Sequence, residues 1–322
     1  MERTPLLSVR ELTIDAVSRT SRRTLVDAVS FDVAAGEAVA IVGESGSGKT
    51  LTVLTIMGLL RSPNLRMRSG SIEFEGRTLR DWNSRELRQM RGADIAMIYQ
   101  DPMTSLNPLM TVAGQLMEVM TVRGIPTADA RARARAALVR VGIPDPDRAL
   151  ASYPHQFSGG MRQRIMIAMS LLLEPRLLIA DEPTTALDVT IQQQILALVQ
   201  AEQRARGMGL IWITHDLGVV AQLVDRVIVM YNGSIVEDAP TADLFRNPQH
   251  PYTRALIGSI PGDDVRKRLV GIPVTTDRAP AGACPFLPRC DRSIDACRAM
   301  PVRVTVAPAH SIACHNPEVS VA

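Results

Sequence analysis

Only two of the 36 basic residues in this 322-residue chain are lysines, so arginine carries almost all of its positive charge. Aromatic side chains are also scarce, at 3%, which argues against the stacking platforms that bind single-stranded nucleic acid. No stretch reaches the roughly 18 uninterrupted apolar residues of a membrane-spanning helix. The most hydrophobic candidate, residues 171–180, is broken by Glu174, Pro175 and Arg176. The N-terminal segment has no apolar core of the kind that directs export, so the cytosol is the expected compartment. Net charge is +3 with scattered arginines, too mild for a nucleic-acid footprint. Cysteine is missing from residues 1–283. With 46% hydrophobic and 21% charged residues, the chain can bury an α/β core and still carry a smaller appendage.

One of the two lysines stands where arginine would fail. Residues 43–50 read GESGSGKT, the pattern G-x-x-x-x-G-K-[ST]. A phosphate loop needs a compact ammonium against the β- and γ-phosphates, and the planar guanidinium fork is too wide for that nest. Gly43, Gly46 and Gly48 free the backbone N–H groups to wrap phosphate, with Glu44, Ser45 and Ser47 between them; Thr50 offers its hydroxyl to Mg²⁺. The preceding EAVAIV (37–42) has the composition of a buried strand, and LTVLTIMGLL (51–60) has helical spacing. The phosphates would therefore meet a helix N-terminus. These residues predict a nucleoside triphosphate site.

Around this loop the patterning alternates between strand and helix. Strand-like segments are expected at 6–12, 25–34, 70–76, 95–100, 176–181, 209–216 and 226–237, with helices at 191–206 and 217–224. Residues 112–150 are helical in character, rich in Ala, Arg and Met, and interrupted by Pro126 and Pro144. The pattern is that of a β/α core interrupted by a helical insertion of about fifty residues. Beyond residue 240, prolines become frequent and all four cysteines occur, which reads as a loop-rich appendage.

Two further segments carry phosphate chemistry. LLIADE (177–182) is an apolar strand run ending in two carboxylates: Asp181 to hold Mg²⁺, largely through water, and Glu182 to polarise the attacking water. FSGGMRQR (157–164) sets Ser158, Gly159, Gly160 and Met161 at the start of a helix, a second anion-binding terminus about twenty residues before that strand. Two such helix ends suggest one ATP held between two copies of the domain.

This combination resembles the nucleotide-binding subunit of ABC transporters over about residues 6–240. The resemblance implies an α/β fold: a P-loop NTPase (RecA-like) core with an antiparallel β-subdomain and an inserted α-helical subdomain at about 101–165. It assigns Gln100 to the Q-loop as a catalytic and Mg²⁺-contacting residue, Asp188 in TTALD to the D-loop, and His215 in ITHD to the switch position at the γ-phosphate. The catalytic set is then Lys49, Gln100, Glu182 and His215, with ATP and Mg²⁺ as ligands. The family usually places an aromatic residue against adenine some twenty residues before the phosphate loop. SRTSRRT (18–24) has none, and Arg22 and Arg23 are the candidates to stack in its place.

NPQHPYTRALIGSIP (247–261) and the downstream PFLPRC…C…AHSIACH resemble the C-terminal region of oligopeptide/dipeptide importer ATPases, placing a second region at 241–322. That likeness implies an import ATPase at the cytoplasmic face of the membrane. Its implied partners are two integral permease subunits, a second ATPase subunit (identical or a paralogue) and, indirectly, an extracytoplasmic substrate-binding protein. Nucleic acid is not among them. The expected coupling surface is the segment Gln100–Met120, including DPMTSLNP (101–108). Alternatives are the same machine carrying a nickel chelate or glutathione, and a soluble ABC ATPase without a permease. The cysteines run C-x5-C-x6-C-x16-C at Cys284, Cys290, Cys297 and Cys314. A cytosolic chain argues against structural disulfides, and zinc sites usually carry a C-x2-4-C knuckle that is missing here. Buried thiols, zinc and an iron–sulfur cluster all remain open from the residues; the resemblance implies a [4Fe–4S] cluster. Because the motif lies outside every ATP element, a structural or assembly role is expected.

Overall fold

A computed structural model describes residues 5–60, 62–79, 83–101, 105–185, 187–260, 275 and 279–318. Strands β1 (Leu7–Val17), β2 (Arg22–Val33) and β3 (Ala38–Val42) lead into helix α1 (Lys49–Ile56). Strands β4 (Leu65–Phe74) and β5 (Arg77–Thr78), helix α2 (Ser84–Ala93) and strand β6 (Ile95–Ile98) follow. Four helices come next: α3 (Val112–Thr121), α4 (Thr127–Arg140), α5 (Pro146–Ala151) and α6 (Gly159–Leu171). The alternation then resumes with β7 (Leu177–Asp181), α7 (Val189–Arg206), β8 (Gly209–Thr214), α8 (Leu217–Leu223), β9 (Arg226–Tyr231) and β10 (Ser234–Pro240). Helices α9 (Thr241–Arg246) and α10 (Pro251–Gly258) and strands β11 (Val304–Ala307) and β12 (His310–Ile312) follow, with short helical turns at Pro154–Gln156, Leu287–Arg289 and Asp295–Arg298.

The chain divides into two compact units. The first comprises Met1–Val33, Ala38–Arg80 and Ile213–Ala322. Its antiparallel sheet has the order β2-β1-β4-β5. Gly70 (φ 102°) permits a close crossing there, since a Cβ would lie 2.6 Å from the Arg10 carbonyl oxygen. In the same unit β3 pairs in parallel with β9, and every residue of β3 is buried. That two-sided burial explains why AVAIV reads as an unbroken apolar run. The segment expected as one strand-like stretch at 226–237 is instead a hairpin. Asn232 (φ 44°) and Gly233 (φ 91°) turn the chain, and Ser234 pairs with Tyr231. Asn-Gly suits a two-residue turn that needs positive φ at both positions.

The appendage is not loop alone. Its last strand, β12, pairs antiparallel with β10, and β11 pairs with β12. Residues 262–322 are poor in aromatics, so little buried area is expected of them, yet Phe286 is almost fully buried. Its ring meets Tyr231 edge-on at 5.1 Å and lies 5.4 Å from Tyr252, with His250 at 5.8 Å. A chain with so few rings gathers several of them at one point.

The second unit comprises Ala34–Glu37 and Asp81–Trp212. Strands β8, β7 and β6 are neighbours in that order, with β6 and β7 parallel and both fully buried. The helical insertion builds its own small core. Val112, Leu116 and Met120 of α3 bury one face at i, i+4 and i+8, as do Ala130, Ala134 and Leu138 of α4. Thr111 caps α3 and Asp145 caps α5, each side chain accepting a backbone N–H. Buried Gln115 ties down the preceding loop: its carbonyl accepts from Asn107 N–H, and its amide donates to the carbonyls of Asn107 and Met110.

Candidate functional site

The first unit carries the phosphate loop between β3 and α1. Lys49 is buried, and its ammonium donates to the carbonyls of Gly43 (2.8 Å) and Glu44 (2.9 Å) and to Ser47 Oγ (3.4 Å). Its three glycines differ in their reasons. A Cβ on Gly43 would lie 2.1 Å from the Met230 carbonyl oxygen, and one on Gly48 would crowd Val26 and the Leu25 carbonyl at about 3 Å. A Cβ on Gly46 would meet nothing within 4 Å, so only its φ of 79° calls for glycine. The hairpin turn after β9 braces the loop, because Gly233 N–H donates to the Ser47 carbonyl at 3.0 Å. Ser45, Gly46 and Thr50 are exposed.

Glu44 is held at three points. Its N–H donates to Tyr252 Oη (2.9 Å), and its carbonyl accepts from Lys49. Its carboxylate takes a two-pronged ion pair from Arg289 at 2.7 and 2.9 Å. Tyr252 and Arg289 belong to the C-terminal region, and sequence reasoning assigned neither of them a role. The signal available was the lone acidic residue inside a phosphate loop, which needs a counter-charge. Arg289 is 12% exposed and lies over the rings of Tyr231 and Phe286. The hydrogen bond to Glu44 raises its already high pKa further. Burial raises that of Tyr252. Arg22, one of the two arginines considered for adenine, forms an ion pair with buried Asp15 at 2.5 Å.

Glu237, fully buried on β10, anchors the appendage. Its carboxylate accepts from the backbone N–H groups of Gln249 and His250 and pairs with His310 Nε2 at 2.8 Å. Burial lowers the pKa of His250 to about 4, against the pull of Glu237, so the ring is neutral near pH 7. Its Nδ1 therefore accepts from Tyr252 N–H at 3.0 Å, and the helix bearing Tyr252 starts there. Also in this unit, Thr214 and Asp216 fold the turn after β8 and leave His215 exposed.

The second unit carries the acidic and Gly-rich elements. Asp181 is buried at the end of β7, and Glu182 follows with φ 45°, a left-handed conformation that is costly outside glycine. The Glu182 carboxylate accepts from Gln100 Nε2 (3.3 Å) and Thr185 Oγ1 (3.0 Å), so the structure brings Gln100 and Glu182 together. Ser158 caps α6 by accepting from Met161 N–H. A Cβ on Gly160 would lie 2.9 Å from Ile191 Cγ2 of α7, whereas one on Gly159 would meet nothing. Asp188 caps α7, accepting from Ile191 N–H at 2.9 Å. Of the expected coupling segment, Pro102–Thr104 lie outside the described residues, as does Ala186 of TTALD elsewhere; Leu109, within that segment, is 86% exposed.

The four cysteines form no disulfide. Burial is the main cause raising the pKa values of Cys284, Cys290 and Cys314, the last to about 11. The charges of neighbouring thiols add to this: Cys314 feels the other three, and Cys284 N–H donates to the Cys297 carbonyl. The thiols thus share one neighbourhood. Among the described residues, however, no three Cys, His, Asp or Glu side chains are arranged to hold a metal ion.

Comparison with known proteins settles the lineage. The ABC transporter family matches residues 26–185, and the family "Oligopeptide/dipeptide transporter, C-terminal region" matches residues 236–297. The dipeptide transport ATP-binding protein DppD of Haemophilus influenzae is 46% identical over 97% of this chain and 96% of its own. The protein of the same name from Bacillus subtilis is 47% identical over 96% of this chain and 94% of its own. This chain belongs to the ABC transporter ATP-binding proteins, in the branch with the oligopeptide/dipeptide C-terminal region. Among solved structures, CbiO1 of Clostridium perfringens, part of an ABC transporter complex, superposes with a TM-score of 0.65 at 27% identity, covering 76% of this chain and 92% of that one. The dimeric ATP-binding cassette MJ0796 bound to ADP and Pi shares the fold, with a TM-score of 0.66 at 24% identity over 73% of this chain and 98% of that one. The core is therefore the ABC-type P-loop ATPase fold. Among the described residues no helix is long and apolar enough to cross a membrane.

Proposed function

We propose that this ABC ATPase powers the import of di- or oligopeptides through a membrane permease complex. The observation that carries this reading is the joint match: an ATPase cassette and a peptide-importer C-terminal region on one chain, colinear with dipeptide transport ATP-binding proteins over nearly its whole length. The peptide-type extension favours peptides over a nickel chelate or glutathione, and the same extension disfavours a permease-free role.

In this reading Lys49 and the loop N–H groups hold the β- and γ-phosphates, and Thr50 and Asp181 supply oxygen donors of the kind Mg²⁺ takes. Mg²⁺ when bound offsets phosphate charge. Glu182, oriented by Gln100 and Thr185, accepts a proton from the attacking water, and His215 contacts the γ-phosphate. Ser158, Gly159 and Gly160 serve nucleotide held by a second ATPase subunit. Ser158→Arg should then block hydrolysis without weakening ATP binding to the monomer, and full activity at high dilution would exclude the sandwich. The exposed Leu109 and the loop that Gln115 fixes form the contact for two permease subunits at the cytoplasmic face of the membrane. Delivery of cargo falls to an extracytoplasmic binding protein.

The donor set Cys284, Cys290, Cys297 and Cys314 suits a [4Fe–4S] cluster in type and number, though the thiols are not closed to ligating geometry. As thiolates, the four cysteines would hold the cluster, which would fasten the Pro-rich segment. Anaerobic purification with iron and sulfide analysis tests this: colourless, zinc-containing protein would assign zinc, and metal-free protein buried thiols. The function itself is tested by co-purification from membranes. Integral subunits and peptide-stimulated ATP hydrolysis are expected, and a soluble complex without permeases would overturn the reading.

A further inference from the structure

We propose that Arg289 is a positioning residue for ATP binding, through which the C-terminal appendage completes the phosphate loop. The inference rests on the reading that ATP binds at Lys49. A carboxylate at Glu44 is an awkward choice for a loop that must receive a polyanion, because each phosphate oxygen nearby repels it. Arg289 answers this with both prongs of its guanidinium, at 2.7 and 2.9 Å, while the rings of Tyr231 and Phe286 hold the guanidinium from the side. Bidentate pairing fixes direction as well as charge. The Glu44 carboxylate is thus held toward the appendage.

The same residue's backbone is fixed from that region too, by Tyr252 Oη on Glu44 N–H. With Lys49 on its carbonyl, Glu44 has its amide, carbonyl and side chain all engaged. Arg289 is itself well placed for this task. It ends a short helical turn, Leu287–Arg289, whose first N–H donates to the Cys284 carbonyl, and Cys290 follows it. The turn stands on the cysteine-bearing segment. The sequence reading gave that segment no bearing on ATP; the ion pair supplies one.

The test is equilibrium binding of ATP to the full chain, with KM and kcat measured alongside. Arg289→Gln is expected to weaken ATP binding about five- to tenfold, since it leaves Glu44 charged and unheld beside the phosphates. KM should rise by a larger factor than kcat falls, and raising the salt concentration should narrow the deficit. The discriminating variant is the double substitution Glu44→Gln with Arg289→Gln, which removes the unpaired charge. It should bind ATP more tightly than Arg289→Gln alone, a rescue that a merely structural arginine would not show. Arg289→Lys covers the case in which Arg289→Gln does not fold. It keeps the charge but loses the fork, and a loss of about two- to fivefold, again reversed by Glu44→Gln, is expected. Binding within twofold of wild type for Arg289→Gln, or no rescue by Glu44→Gln, would overturn the proposal. Lys49→Ala separates the two levels. If it abolishes binding while Arg289→Gln does not weaken it, the ATP site stands and this inference falls; a wild-type chain that binds no ATP overturns both.

Discussion

The phosphate loop of the first unit and the Ser158–Met161 segment of the second are both glycine-rich helix starts, yet they are built in opposite ways. In the loop, Lys49 is buried, Gly43 and Gly48 are wedged against backbone, and Glu44 is held on every side. In the Ser158 segment the serine does no more than cap its helix, Gly159 faces open space, and only Gly160 is pressed, by Ile191. A site that binds nucleotide by itself needs its donors preset, because ordering them on binding would cost affinity. A segment proposed to serve another subunit's nucleotide needs exposure. The contrast teaches that glycine alone does not say how a helix start is built, and that neighbouring backbone tells the two apart.

The sharpest way to break this comparison is to separate binding from hydrolysis. Glu182→Gln, in the second unit, should leave ATP affinity intact while lowering turnover about 10²–10⁴-fold, as loss of a positioned base does. Turnover above about a tenth of wild type would remove Glu182 from that role. Next come the glycines themselves. Gly43→Ala forces a methyl against the Met230 carbonyl and should cost roughly 2–4 kcal/mol of stability, against about 1 kcal/mol for Gly46→Ala, where only φ is strained. Denaturant unfolding of the two variants measures the gap, and equal costs would show that backbone contact does not preset the loop.

The anchor behind the loop is open to acid. Folded His250 takes its proton near pH 4, whereas an unfolded histidine takes it near 6.5, so protons favour the unfolded chain between those values. Its contribution is complete above about pH 6.5 and is lost as pH falls towards 4, on the order of 2–3 kcal/mol. Unfolding free energy measured from pH 7 to 4 should fall less steeply in His250→Asn, which still offers a capping acceptor; an unchanged slope would exclude His250 as the source. The smallest expected effect is in the second segment. Gly160→Ala should cost about 1 kcal/mol through Ile191, while Gly159→Ala should leave monomer stability unchanged within about 0.5 kcal/mol. A destabilising Gly159→Ala would mean that this segment, too, is packed from within.

Much of this was legible in the residues. GESGSGKT points to an ATP-binding cassette, and LLIADE and SGG carry the proposed phosphate roles, because each such function needs a fixed residue type at fixed spacing along one short stretch. The strands β3 and β7 were legible for a related reason: burial on both faces leaves only apolar side chains, and that shows as an unbroken run. The hairpin at Asn232-Gly233 was within reach of sequence too, through its turn residues, although hydrophobic periodicity alone ran the two strands together.

What only the tertiary structure decided lies in contacts between residues far apart in the chain. Arg289 and Glu44 are 245 positions apart, and the reach of Tyr252 to Glu44 is 208. No periodicity or spacing rule encodes such pairs; one arginine among 34 carries no mark of its partner until the fold closes. The same holds for Phe286, an isolated ring in sequence and the centre of an aromatic cluster in space, and for Glu237, whose burial is bearable only because His310, Gln249 and His250 converge on it. The sequence by itself determined which chemistry this protein performs on phosphate, since that chemistry is local. The tertiary structure decided that the C-terminal region reaches the phosphate loop, since an ion pair exists only where folding puts both charges.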